Sequence, residues 1–135
     1  MSDTLVSYSY IMSAEVQKWR SFVKGKRGGN FAGVVLDLEG ELTSKDISDI
    51  ARSAQCSETA FIRETQDNVQ TRIEATFVKA DGSTIPMCGH AMIALLTQLH
   101  QQGKLVVGEN VIKTEAGNIT VHVGNDGKMS YEQAL

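Results

Sequence analysis

The sequence has no excess of positive charge, no long apolar run and few cysteines or histidines, and each shortage removes a class of function. Thirteen Lys and Arg face sixteen Asp and Glu, for a formal net charge of -3. The pI is near 5.6, so there is no basic footprint for a nucleic-acid partner. The one dense basic stretch, Lys24 to Arg27, is short and reads as a solvated loop. No apolar run approaches the roughly 20 residues needed to cross a bilayer, and the start, Met1-Ser-Asp-Thr, lacks the basic flank and apolar segment of a secretory signal. Cys56 and Cys88 stand in dissimilar contexts, which argues against a disulfide framework or a CxxC site. His90, His100 and His122 lie far apart without metal-ligand spacing. These absences predict a cytoplasmic protein that uses no metal, membrane or nucleic acid.

The chain of 135 residues, 41% apolar and 21% charged, suits one ordinary globular domain. No repeat, low-complexity tract or linker divides it. Leu5 to Met12 alternates enough to be a strand. The next stretch is ambiguous: Val16, Trp19 and Val23 form a helical stripe behind a possible Ser13 cap, yet Trp19 to Val23 also fits a short strand. After Gly28-Gly29-Asn30, Phe31 to Leu38 is a β-rich apolar run.

A helix opens at Thr43-Ser-Lys-Asp46, with Thr43 as its cap, Asp46 in its first turn and Ile47, Ile50, Ala51 and Ala54 as its buried stripe. Thr59 to Glu64 and Val69 to Lys79 read as strands, followed by a turn at Ala80-Asp-Gly-Ser83. From Ala91 to Leu99 a second helix is apolar on nearly all faces, which predicts a central, buried position ending at Gly103. Leu105 to Thr114, Asn118 to Val123 and Lys128 to Gln133 complete the strands, the last two joined by a tight turn at Asn125-Asp-Gly127.

Four segments carry a resemblance. Gly28-Gly-Asn-Phe-Ala-Gly-Val-Val35 resembles the GGNPAAVV segment of PhzF-like proteins, and Ile50 to Ile62 resembles that family's stretch ending in Ser-Glu-Thr-Ala-Phe. Met87-Cys-Gly-His-Ala-Met92 is similar to its CGHAT/M helix start. Thr114-Glu-Ala-Gly117, with the hairpin into Met129-Ser-Tyr-Glu-Gln133, is similar to its ETxAG segment and the strand ending its first lobe. Order and spacing agree over roughly residues 20 to 133. In this register Phe22 takes the place of the aromatic in the family's opening strand, which favours a strand for Trp19 to Val23 and makes the first fifteen residues an extension.

The resemblance implies an α+β fold: one lobe of the diaminopimelate-epimerase-like fold, a curved, mostly antiparallel sheet wrapped around a central apolar helix. Residues 1–135 are then a single lobe. Two features depart from the family: Asn30 is followed by Phe31 rather than proline, and Ala80 to Thr84 lacks the family's usual acidic residue. The family chain also normally runs about twice this length, with the active cleft between two lobes.

The resemblance also implies site residues. Glu58 matches the family's catalytic carboxylate, a general acid/base whose work needs a partly dry cleft; without the family it is a solvated glutamate at a strand start. Gly89 and His90 open a helix where unpaired backbone N–H groups and the positive helix end suit a substrate carboxylate or an enolate. Gly89 would permit close approach, Ala91 would extend this binding edge, and His90 would donate a hydrogen bond or relay a proton. By itself a histidine there is usually a packing residue. Cys88 stands where related amino-acid epimerases place a thiol, and the helix start would favour its thiolate. Asn30 is a further candidate contact, while Cys56, His100 and His122 read as structural.

Two functional readings stay open. In one, a cofactor-independent isomerase or epimerase forms its cleft between two copies of the lobe and moves a proton on a small carboxylated ligand. In the other, a non-catalytic homodimer keeps the scaffold as a binding or interaction module. A third possibility is that the chain is one lobe of a longer or split protein.

Overall fold

The computed structural model describes residues 4–11, 14–20, 31–66 and 71–133. Lys24 to Arg27, Phe22 and Gly28 to Asn30 lie outside the described residues. The elements run β1 (Thr4–Ile11), β2 (Ala14–Arg20), β3 (Phe31–Leu36), α1 (Ser44–Ser53), β4 (Glu58–Gln66), β5 (Thr71–Lys79) and β6 (Thr84–Ile85). Then follow α2 (Gly89–Gln101), β7 (Gly108–Thr114), β8 (Gly117–Val123) and β9 (Met129–Gln133). All the strands join one sheet in the order β1-β2-β3-β4-β5-β7-β8-β9, with β6 paired to β5.

Two neighbouring pairs are parallel, β3 with β4 and β5 with β7, and the rest are antiparallel. Parallel pairing needs a crossover, and the two helices supply the two crossovers: α1 links β3 to β4, and α2 links β6 to β7. The helices pack against opposite faces of the sheet. Val35, Phe61 and Val78 cluster with Ile50, Ala51 and Ala54 of the α1 region. Ala32, Val34, Ala60, Ile62 and Phe77 cluster with Ala91, Leu95 and Leu99 of α2. β3 is therefore buried on both faces, which is why its sequence reads as a continuous apolar run, and β4 is buried on both faces along Thr59–Ile62.

The first helix follows its end signals. Asp46 N–H donates to Thr43 Oγ1 at 3.1 Å, and Thr43 N–H donates to Asp46 Oδ2 at 3.0 Å. This reciprocal pair satisfies two amides that the first turn leaves unpaired. Ile50 and Ala51 are buried as their spacing predicts. The turn after β5 is anchored to the same helix, because Ser48 Oγ donates to the Gly82 carbonyl at 2.9 Å. Gly82 has φ +87, and a Cβ there would meet Ser48 Oγ at 2.6 Å, so conformation and space both demand glycine.

The ambiguous stretch resolves as strand β2, starting at Ala14 rather than at Trp19. Residues three apart point to opposite faces of a strand. Val16 joins the α1-side cluster, whereas Trp19 joins the α2-side cluster. An apolar residue on each face at that spacing mimics a helical stripe. Trp19 is 1% exposed, and its Nε1–H donates to Gln98 Oε1 of α2 at 2.9 Å. β1 pairs with β2 from Thr4↔Arg20 to Ile11↔Ala14, so the predicted extension includes an edge strand of the sheet.

Two further corrections concern strands. β7 begins at Gly108, not Leu105, leaving Val106 and Val107 exposed ahead of it. The two-residue β6 was not predicted, because it is too short to show alternation. Around β7 the sheet narrows: β5 and β7 share only the partners Ile73↔Ile112 and Glu74↔Lys113.

Leu95 is fully buried beneath the sheet, whereas Val111 is 48% exposed on its outer face. Leu95→Ala should cost about 2–5 kcal/mol of stability, and Val111→Ala no more than about 0.5 kcal/mol. Urea unfolding of both variants checks this assignment of faces.

Candidate active site

Glu58 is the first residue of β4, where it pairs with Ala32 of β3 on one side and Lys79 of β5 on the other. The chain reaches it through a tight exit from α1: Gln55 takes φ +58, and Ser57 N–H donates to the Phe31 carbonyl at 2.9 Å. Across from it, Cys88 is the N-terminal boundary residue of α2, with extended backbone, and its carbonyl accepts from Met92 N–H at 2.8 Å. The crossover thus brings the start of a helix to the start of a strand.

The contact between them is direct. His90 Nδ1 lies 3.4 Å from Glu58 Oε2, and both side chains are mostly but not fully covered, at 19% and 24% exposure. Among the described residues His90 Nε2 is buried without a hydrogen-bond partner. If Nδ1–H faces the carboxylate, Nε2 is left as the basic nitrogen. A carboxylate that orients an imidazole, both held by regular elements, is an arrangement suited to moving protons.

The other predicted residues are placed as follows. Gly89 is the first residue of α2, and Tyr131 of β9 reaches over it. Ala91 is fully buried in the core around α2, so its backbone N–H is what it offers. Asn30 lies outside the described residues. Cys88 is half-buried beside Glu58. Burial pushes its thiol up, the neighbouring Glu58 charge adds to that, and the backbone N–H groups of Ala91 and His90 pull the other way. Desolvation outweighs the pull of the helix start on this thiol.

Cys56 is buried and its Sγ donates to the Ala54 carbonyl at 3.6 Å. Burial raises its thiol from the ordinary 9.0 to about 11, with a smaller opposing pull from Lys18. His122 in β8 and His100 are exposed, and His100 stands at the opposite end of α2 from His90. Among the described residues no group of three or more His, Cys, Asp or Glu could hold a metal ion. No helix among the described residues is long and apolar enough to cross a membrane.

One packing detail near the site was not legible in the sequence. A Cβ on Gly33 would come 3.0 Å from Thr59 Oγ1 and 3.3 Å from Cys56 Sγ. Glycine here lets β3 lie close to the residues that flank Glu58.

A sheet wrapped around one apolar helix, here with a Glu58–His90 contact at the helix start, is a lobe of the diaminopimelate-epimerase-like fold. The phenazine biosynthesis-like (PhzC-PhzF) family model matches residues 20–134, and the chain belongs to that family. It is 35% identical over 125 residues to YfhB of Bacillus subtilis, described as an uncharacterised isomerase, covering 90% of this chain and 41% of that protein. A second uncharacterised isomerase, from Clostridium acetobutylicum, is 37% identical over 103 residues, covering 76% of this chain and 33% of that protein.

The crystal structure of a PhzF-family phenazine biosynthesis protein from Bacillus anthracis superposes with TM-score 0.65 at 27% identity, over 86% of this chain and 38% of that one. A hydroxyproline epimerase from Agrobacterium vitis shares the fold with TM-score 0.56 at 14% identity, over 96% of this chain and 45% of that one. The chain thus spans about two fifths or less of the curated relatives it matches.

Because both thiols are held in the neutral form, they should react more slowly with a disulfide reagent in the native protein at pH 8 than in urea. The same shift has a stability sign. The folded chain keeps the Cys56 proton between its ordinary 9.0 and about 11, so unfolding becomes easier as pH rises through that window. Urea midpoints at pH 8, 9.5 and 10.5 should fall in that order. Fast native labelling of Cys88 at pH 7 would instead mean that the helix start prevails.

Proposed function

We propose that this chain is the acid/base lobe of a cofactor-independent isomerase or epimerase, whose cleft forms between two copies of the lobe. The carrying observation is the Glu58–His90 pair at the start of α2. Family membership and the isomerase descriptions of the curated relatives support the reaction class.

The chemistry follows from the groups present. The Glu58 carboxylate removes the proton on the carbon next to a substrate carboxylate, and the C–H electron pair moves into that carboxylate as an enolate. The N–H groups at the start of α2, which have no partner within the helix, would stabilise the developing charge. An acid on the opposite face returns a proton to the carbon and inverts or shifts it. In a twofold dimer that acid is the second copy's glutamate, initially protonated. After one turnover the two carboxyls have exchanged protonation states, ready for the reverse direction. Pairing two copies also supplies the enclosure that a single lobe lacks.

Two measurements test this. Light scattering on the purified chain should give a dimer of about 29 kDa, twice the 14.7 kDa protomer. In D2O the chain should wash the carbon-bound proton out of one member of a panel of small carboxylates. That panel includes trans-4-hydroxy-L-proline, the molecule bound in the Agrobacterium vitis epimerase structure. Glu58→Gln should slow this exchange by about 10²–10⁴-fold. A monomer at every concentration would remove the shared cleft. A dimer that binds a carboxylate without exchanging any proton would point instead to a binding module.

A further inference from the structure

Tyr131 lies in β9 opposite Val121 and packs against the core around α2. A Cβ built on Gly89 would stand 3.3 Å from its hydroxyl oxygen. The hydroxyl therefore sits above the first residue of α2, one position in sequence from both Cys88 and His90.

Two observations single it out. Gly89 is not among the positive-φ glycines, so its backbone does not call for glycine; the space beneath the tyrosine hydroxyl does. Among the described residues this hydroxyl also has no hydrogen-bond partner, although a half-buried tyrosine usually finds one. Tyr131 also lines a groove of about 710 Å³ between α2 and β9, which runs from Ile93 to His100 and Gly127 and does not include Glu58 or His90. Open space therefore borders the residue.

We propose that Tyr131 contacts the substrate, its O–H donating a hydrogen bond to the carboxylate of the molecule on which Glu58 acts. This inference rests on the acid/base reading above and adds a residue to it. A substrate carboxylate brought next to the ionised Glu58 needs donors to offset the repulsion. The amides at the start of α2 supply some, and the tyrosine, whose hydroxyl lies over Gly89 in the first turn, would supply a side-chain donor. Gly89 keeps that approach clear.

Benzoate, a planar carboxylate without a transferable α-hydrogen, is the probe. Titrated into the 15N-labelled chain, it should shift the His90 and Ala91 amide signals saturably. Tyr131→Phe should weaken its affinity about ten-fold or more, the loss expected for a hydrogen bond to a charged group. The amide spectrum of α1 should stay unchanged, which a general loss of packing would not allow. Gly89→Ala keeps the phenol but pushes it away, and tests the proposal should Tyr131→Phe fail to fold. It should weaken benzoate strongly in the native background and much less with Tyr131→Phe already present. Unchanged benzoate affinity in both single variants would overturn the role of Tyr131 while leaving the acid/base reading intact. No saturable shift at His90 and Ala91 in the unmodified chain would overturn both.

Discussion

The structure depends on burying α2. Ala91, Met92, Ala94, Leu95, Leu96 and Leu99 leave almost no polar face, so the helix must be enclosed nearly all round. A flat sheet covers only one side, and the strands accordingly curve from Trp19 in β2 to Val121 and Val123 in β8 around the same cluster. Gln98 is the exception, a polar residue 2% exposed on this helix. Its carbonyl oxygen accepts from Trp19, and that hydrogen bond fixes how α2 sits against the far side of the sheet. Its amide nitrogen is buried without a partner among the described residues, an opposing penalty within the same contact.

Enclosing α2 also dictates where chemistry can occur. A helix largely surrounded by strands is most open at its ends, and the N-terminal end carries amides with no partner within the helix. The crossover into β4 brings Glu58 to that end, beside His90 and Cys88. The same burial that dries the site also suppresses the thiolate that the helix start would otherwise favour. Desolvation and the helix end act on one sulfur with opposite signs, and geometry alone decides the balance.

The half-length relation to the family gives the arrangement its meaning. The matched solved structures extend well beyond this chain, which aligns with less than half of each. A lobe that presents its reactive edge outward is suited to facing another lobe. This is why the proposed cleft is placed between two copies.

Much of this was legible along the chain, and what was not has a common cause. The capped helix α1, the wholly apolar α2, the turn at Gly82 and the hairpin at Gly127 follow from local chemistry: cap residues, helical period and left-handed glycines. The family motifs picked out Glu58, Cys88, Gly89 and His90 together. What stayed hidden was decided between elements distant in sequence. Val16 and Trp19 looked like a helical stripe because each face of β2 is covered by a different cluster. Gly33 and Gly89 have no telling φ; their need for glycine comes from Thr59, Cys56 and Tyr131, which the fold brings against them. The 3.4 Å approach of His90 to Glu58, across 32 residues, likewise exists only once the crossover closes. The sequence by itself therefore determined the segments, their family and the candidate residues, because those rest on local pattern. Tertiary structure alone decided which side chains meet and which thiols stay protonated, because contact and desolvation are properties of neighbours that the chain does not place side by side.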